Sequence, residues 1–302
     1  MLLHTYTELL ASGLSQGEVE AKVRSGYLVR IRRGVYGVAQ DLDPEQAHLR
    51  LILATMPAVH PDSVVSHESA AVLHGLPVPR KSLEKVSLVR RTGGHGDSAG
   101  RLRVRATKLR DDEVTTVSGI KVTTVARTVM DVARSVELEW GVAACDAALR
   151  GGLERDELLT LLDVHKRLHG LARARRVALF ADARAESPAE SVSRVQFARH
   201  GIPAPVLQFD IYDDDGNWVA RVDFCWEDLA LVGECDGMGK YGPLLKPGQT
   251  PESAIRDEKR REEAIRDVGW GLTRWDWGLA WQGEQLCARI RRAGARTRGG
   301  RR

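Results

Sequence analysis

Paired cysteines are missing from this chain. Its four cysteines, Cys145, Cys225, Cys235 and Cys287, are scattered with no C-x-x-C pair among them. That spacing argues against a structural zinc and a disulfide framework, and it fits a reducing, cytoplasmic setting. No apolar run approaches the roughly 18 residues that a membrane span needs, so no membrane partner is expected. The opening residues, MLLHTYTELLASG, carry an early glutamate and no basic leader, unlike a secretory signal. No period of about 20–50 residues recurs, which excludes a solenoid. What is present is the composition of a soluble globular protein, 43% hydrophobic and 28% charged over 302 residues. Such a chain is long enough for two or three domains with separate cores.

Charge is placed rather than spread. The segment Arg289 to Arg302, RIRRAGARTRGGRR, holds seven arginines and no acid, so it takes the net charge of +4 to −3 for the rest. A second basic cluster comprises Lys22, Arg24, Arg30, Arg32 and Arg33. Localised cations of this kind suit phosphate backbones; the alternative for the tail is a solubilising end.

The first 40 residues read as helix, tight turn, helix and basic hairpin. Tyr6 to Ala11 is a short helical run. Ser15 with Glu18 forms a capping box for a helix over Gln16 to Ser25. YLVRIRRGVYGV, Tyr27 to Val38, alternates apolar and basic residues and turns at Gly34. This is the order of a winged helix-turn-helix, in which the second helix enters the major groove and the wing arginines hold phosphates. The same order also serves protein-interaction modules. Residues 41–152 read as a mixed α/β domain, with helices at Pro44 to Met56, Ser66 to His74, Thr124 to Arg134 and Trp140 to Arg150, and strands at Lys85 to Val89, Leu102 to Ala106 and Ile120 to Thr123. His67, Glu68 and His74 cluster there and read as satisfied polar residues at a helix start rather than as metal ligands.

An arginine-rich helical connector spans 153–186, and a further domain covers 187–293 before a basic tail at 294–302. Its order is a capped helix (SPAESVSRVQFARH), strands at Val206 to Tyr212, Trp218 to Trp226 and Leu229 to Cys235, a charged helix Glu252 to Val268, a strand Gly271 to Trp275 and a helix from Gln282. In VARVDFCW, alternation puts Val219, Arg221, Asp223 and Cys225 on one face and Val222, Phe224 and Trp226 on the other. Asp223, Glu234 and Asp236 then converge near one strand end. Three such carboxylates repel one another unless a cation compensates, and hard oxygen donors suit Mg²⁺ or Mn²⁺. Glu190 is explained as a capping-box residue of Ser187, and it could also serve as a fourth oxygen donor. Lys240, Lys259, Arg256 and Arg260 supply positive charge for a phosphate.

The C-terminal part resembles the PD-(D/E)XK nuclease superfamily, most of all its small Vsr-like domains. The matching residues are VDF at 222–224, GECDG at 233–237, RDEKRREEAIRDVGW at 256–270 and LTRW at 272–275. The resemblance implies an α-β-β-β-α-β core with an E-x-D-G strand end at Glu234 to Gly237, a D-x-x-R helix at Asp257 and Arg260, and the pair Arg274-Trp275. The first 150 residues resemble proteins with an AbiEi-type antitoxin winged helix, through LVRIRRGVYGV, SHESAAVLHGL and VSGIKVTTVARTVMDVA. Two departures stand out. Asp236 occupies the place of the superfamily's motif lysine, leaving Lys240 or Lys259 for that role, and MGKYG replaces a histidine common in the group.

The fold class expected is therefore mixed α/β of the α+β kind. The function expected is DNA binding, with Mg²⁺- or Mn²⁺-dependent phosphodiester hydrolysis at Asp223, Glu234, Asp236 and Glu190. The rival expectation is a non-catalytic antitoxin-type repressor with a degenerate nuclease domain, partnered by a cognate toxin or a gene-neighbour protein. The oligomeric state is left open.

Overall fold

A computed structural model of the chain describes residues 2–90, 97–236 and 250–300. It is a mixed α+β protein, with twelve α-helices and three sheets among those residues. Two compact units divide it: Met1–Val136 with Leu153–Arg175, and Glu137–Gly152 with Arg176–Arg302. No described helix is long and apolar enough to cross a membrane.

The first unit begins with β1 (Leu3–Thr5), α1 (Tyr6–Ala11), α2 (Gln16–Arg24), β2 (Leu28–Arg32) and β3 (Val35–Val38). The strands form an antiparallel sheet in the order β1-β3-β2. Both helices start on capping boxes, Thr5 with Glu8 and Ser15 with Glu18, which satisfy the otherwise orphaned first-turn N–H groups. Leu9, Val19 and Leu28 close a small core beneath them.

The rest of this unit runs α3 (Pro44–Thr55), β4 (Ser63–Val65), α4 (His67–Leu73), β5 (Val86–Arg90), β6 (Asp97–Ala99), β7 (Leu102–Ala106), β8 (Val114–Val117), β9 (Ile120–Thr123), α5 (Val125–Ala133) and, after an excursion, α7 (Arg155–Val164). Its strands make a mixed sheet in the order β6-β7-β5-β4-β9-β8. The Gly-rich stretch Thr92 to Gly100 reads from the sequence as a loop; residues 92–96 lie outside the described residues and Asp97–Ala99 is a strand.

Behind this sheet lies a buried ionic cluster. Arg127, wholly buried, binds Glu113 at 2.8 Å and Asp131 at 2.9 Å, and Arg134 binds the other Asp131 oxygen at 2.9 Å. Burial alone would raise the Asp131 carboxyl, but the charges of His67, Arg127 and Arg134 reverse that and hold it at about 2. His67, with φ of 53°, occupies the left-handed region, a rare state for a residue other than glycine. Its Nδ1 lies 3.0 Å from the Ser66 hydroxyl and its Nε2 3.4 Å from Arg134 Nη2. Arg134 can only donate, so Nε2 accepts and Nδ1 carries the proton. Ser66 is thus an N-cap by position whose side chain makes no capping bond. His74 Nε2 meets the Thr123 carbonyl at 2.7 Å and Glu68 accepts from Ser87 at 3.2 Å, so His67, Glu68 and His74 each have protein partners.

The second unit contains α6 (Leu138–Arg150), α9 (Pro188–Arg199), β10 (Val206–Tyr212), β11 (Trp218–Trp226), β12 (Leu231–Asp236), α10 (Pro251–Asp267), β13 (Gly271–Asp276), α11 (Trp277–Ala280) and α12 (Gly283–Gly300); α8 (Leu171–Phe180) spans the boundary. The sheet order is β10-β11-β12-β13, antiparallel except for β12 with β13. That parallel pair needs a long crossover, which α10 provides. Asp146 of α6 pins α9 by accepting from the Ser191 hydroxyl at 2.7 Å and Arg194 at 2.9 Å. One face of the sheet is packed by Phe197, Phe224, Trp226, Leu231 and Trp275, the other by Ile211, Val222, Cys225, Val232 and Ile265. Gly233 lies under the Trp275 ring, where a Cβ would come within 2.7 Å of it. The segment expected as a tail from residue 294 continues α12 to Gly300.

Burial pushes the His67 imidazole down to about 4, against the pull of Asp131. The folded state therefore holds it neutral, whereas the unfolded chain takes up its proton below about 6.5. Stability should fall as pH drops from 6.5 towards 4, by about 2 kcal/mol between 6.5 and 4.5. Denaturant melts of the wild type and of His67→Asn, a residue that tolerates the left-handed backbone, are expected to differ by that pH dependence. Parallel profiles would refute the assignment.

Candidate functional site

The carboxylates singled out from the sequence lie on β11, on β12 and in the first turn of α9, and the backbone there is unusual. Gln208 of β10 has φ of 52°. Its neighbours Leu207 and Phe209 pack into the two opposite cores, as do their partners on β11, Phe224 and Val222. The left-handed residue reverses the alternation on both strands. Val222 accordingly faces the same core as Cys225, which corrects the regular face expected for VARVDFCW. Asp223 stands at the reversal, opposite Gln208.

Asp223 Oδ2 accepts the Cys235 N–H at 2.8 Å. Glu190, third residue of α9 and 4% exposed, has its own N–H bound by the Ser187 hydroxyl at 3.2 Å. Its carboxylate accepts from the Glu186 N–H and from Gln208 Nε2, both at 2.9 Å, reaching one residue further back than a capping box would. Burial raises the Glu190 carboxyl, opposed by these hydrogen bonds. The buried Cys235 thiol is pushed up to about 12, chiefly by desolvation; the Ser193 hydroxyl opposes this, and the charges of Asp223, Glu190 and Asp236 add to it. Those three acids therefore all bear on Cys235.

Glu234 is arranged differently. Arg274 Nε donates to its Oε2 at 2.8 Å, and Arg261 Nη2 donates to its Oε1. Arg261 also reaches the Arg221 carbonyl at 2.8 Å and pairs with Glu258 at 3.4 Å, and Arg274 closes the ring by donating to Glu258. Burial opposes the charge on both arginines, and Glu234 and Glu258 more than offset it.

The sequence missed this ring by one residue. A D-x-x-R frame selects Asp257 and Arg260, whereas the pair that closes on Glu234 and Arg274 is Glu258 and Arg261, about 100° round the helix. The signal was the spacing Ala254, Arg261, Ile265 and Val268, the partly or fully buried side of α10. Arg256 and Arg260 are exposed instead. Lys259 is exposed too and pairs with Glu263 at 3.7 Å, so it does not stand at the strand end. Lys240 lies outside the described residues.

Mg²⁺ or Mn²⁺ here would have to displace the guanidinium groups of Arg261 and Arg274 from the two Glu234 oxygens. Among the described residues no group of three or more His, Cys, Asp or Glu side chains is placed to hold a metal ion.

Of the N-terminal cations, Arg24, Arg30 and Arg33 are exposed. Lys22 lies 4.8 Å from the Tyr27 ring centroid. Arg32 donates to the Ala54 and Thr55 carbonyls at 3.4 and 3.1 Å, closing the C-terminus of α3.

These features define a mixed α+β protein with an arginine-bound carboxylate at a strand end. No family model matches the chain. The uncharacterized proteins MT2308 and Rv2248 of Mycobacterium tuberculosis are each 30% identical to it over 269 residues, covering 86% of this chain and 89% of theirs. The chain belongs to the family of these proteins. The crystal structure of the RV2827C protein from Mycobacterium tuberculosis aligns with a TM-score of 0.40 at 13% identity, over 70% of this chain and 84% of that one.

Glu234→Gln separates an ion-pair role from a repelling carboxylate by sign. Removing one member of a repelling acid cluster stabilises a metal-free protein. Removing the anion shared by Arg261 and Arg274 destabilises it, by about 1–2 kcal/mol for a partly exposed pair. Thermal melts of the two proteins in EDTA should show the loss; a higher midpoint in the variant would exclude the ring as drawn.

Proposed function

We propose that this is a DNA-binding protein of the antitoxin-like regulator type, whose C-terminal unit has a nuclease-derived fold and does not hydrolyse DNA. The order α9-β10-β11-β12-α10-β13, with β12 and β13 parallel across the α10 crossover, supports a PD-(D/E)XK-like core. The order α1-α2-β2-β3, with β1 closing the sheet, supports a winged helix-turn-helix. Exposed Arg24, Arg30 and Arg33, which have no acid partner among the described residues, are the cations available to a phosphate backbone. The observation that carries the non-catalytic reading is Glu234. The carboxylate central to the expected metal site holds two guanidinium groups, and a hydrolase of this type needs that carboxylate to position its metal. A toxin or neighbouring-gene protein is the partner that the antitoxin resemblance suggests.

Gel shifts on the DNA upstream of the protein's own gene test this. Binding should be equal in EDTA and in Mg²⁺, and should weaken at least several-fold in Arg30→Gln/Arg33→Gln. Supercoiled plasmid should stay intact in Mg²⁺ and in Mn²⁺. Nicking by the wild type that disappears in both Asp223→Ala and Glu234→Ala would replace this reading with a metal-dependent nuclease.

A further inference from the structure

Helix α12 carries basic residues that no acid among the described residues pairs with. Its inner side is docked. Leu286, Cys287 and Ile290 are fully buried, and Arg291 donates to the His200 carbonyl. The docking extends almost to the helix end. Gly294 packs on Leu229, whose Cδ1 would lie 3.2 Å from a Cβ placed there. Thr297 Oγ1 donates to the Leu229 carbonyl at 2.7 Å. A glycine inside a helix costs about 1 kcal/mol relative to alanine, and here it permits the close approach that keeps the last turns against the sheet. The arginines of this segment therefore sit on an anchored frame.

Arg289, Arg292 and Arg296 follow one another at spacings of three and four, which stacks them on one face. All three are exposed. Glu284 is the single acid in the sequence of α12, and among the described residues no acid pairs with any of the three arginines. Helix α10 shows the contrast: Lys259, Arg261 and Arg266 each have an acid within the helix. The helix dipole does not explain the stripe either. Its pull on a cation fades within the last turn, and Arg289 and Arg292 lie more than a turn before Gly300.

We propose that the outer face of α12 is a second DNA contact, in which Arg289, Arg292 and Arg296 bind phosphates of a duplex backbone without reading sequence. The three cations span roughly 10 Å of helix at 1.5 Å per residue, a length over which a duplex presents about six phosphate charges. Arginine suits this role because its planar fork pairs with phosphate through two hydrogen bonds. The inference rests on the DNA-binding reading given above and adds to it a site in the second unit.

The salt dependence of affinity tests it. Each phosphate contact contributes about 0.9 to the slope of log K against log salt concentration. The full-length triple variant Arg289→Gln/Arg292→Gln/Arg296→Gln should lower that slope by about 2–3 on a duplex of arbitrary sequence, with an unchanged far-ultraviolet circular dichroism spectrum. Lys259→Gln, at a residue already paired, should leave the slope alone. A triple variant with the wild-type slope overturns the proposal. Binding of the wild type to phosphatidylglycerol vesicles, lost in the triple variant while its DNA slope is unchanged, overturns it in favour of a lipid surface. Failure of the regulator reading looks different: the wild type would bind no duplex, or would bind with no loss in Arg30→Gln/Arg33→Gln while the triple variant still lost slope.

Discussion

The chemistry open to the second unit turns on how Glu234 is neutralised. Its backbone is fixed by β12 lying between β11 and β13, and its side chain is held by Arg261 and Arg274, while the charges of Asp223, Asp236 and Glu190 bear on the neighbouring Cys235. A carboxylate among carboxylates needs a cation. Two sources exist in principle, a divalent ion or protein side chains, and they exclude each other at the same oxygens. Arg261 and Arg274 occupy both oxygens and bring Glu258 with them, so two positive and two negative groups close a ring. Asp223 accepts the Cys235 N–H and its charge also bears on Arg261, while Glu190 accepts from the Glu186 N–H and the Gln208 amide.

Gln208 makes that accommodation geometrically available. A left-handed residue in a strand costs of order 1–3 kcal/mol, and it persists when its surroundings hold it. Here Leu207 and Phe209 are drawn into cores on opposite faces of the sheet, and the Gln208 amide is held by Glu190. The reversal puts Asp223 beside the β12 backbone. The same strain that lets one sheet serve two cores thus decides where the acid of VDF ends up.

Much of this architecture was legible in the sequence. The Ser15–Glu18 capping box, the β10 and β11 boundaries and the charged α10 crossover follow from local rules that the fold obeys, because each depends on residues within a few positions of one another. What was not legible depends on longer range. Strands β1, β4 and β8 are three or four residues long, too short for alternation to register. The reversal at Gln208 has no composition signal, since glutamine is not a residue of left-handed turns. The ring at Glu234 was displaced by one position because a motif spacing was followed where the helical apolar face should have arbitrated. The helix over 294–300 was hidden by its glycines and arginines, which read as a tail; Leu229, far away in sequence, supplies the surface on which Gly294 and Thr297 pack.

The basic residues of this chain also divide by what holds them, and that division matters more than their number. Arg127 and Arg134 are fixed by Asp131 and Glu113 in the first unit, Arg32 closes a helix, and Arg261 and Arg274 are bound to Glu234. Each has traded its hydration for a structural partner, and breaking such a pair to reach a phosphate would strand the other charge. An exposed arginine with no acid partner incurs no such cost on meeting DNA; it releases counterions and gains an anion. Under the proposed DNA-binding function, that criterion points to Arg24, Arg30 and Arg33 in the first unit and, separately, to the α12 stripe in the second, and away from the arginines that hold Glu234.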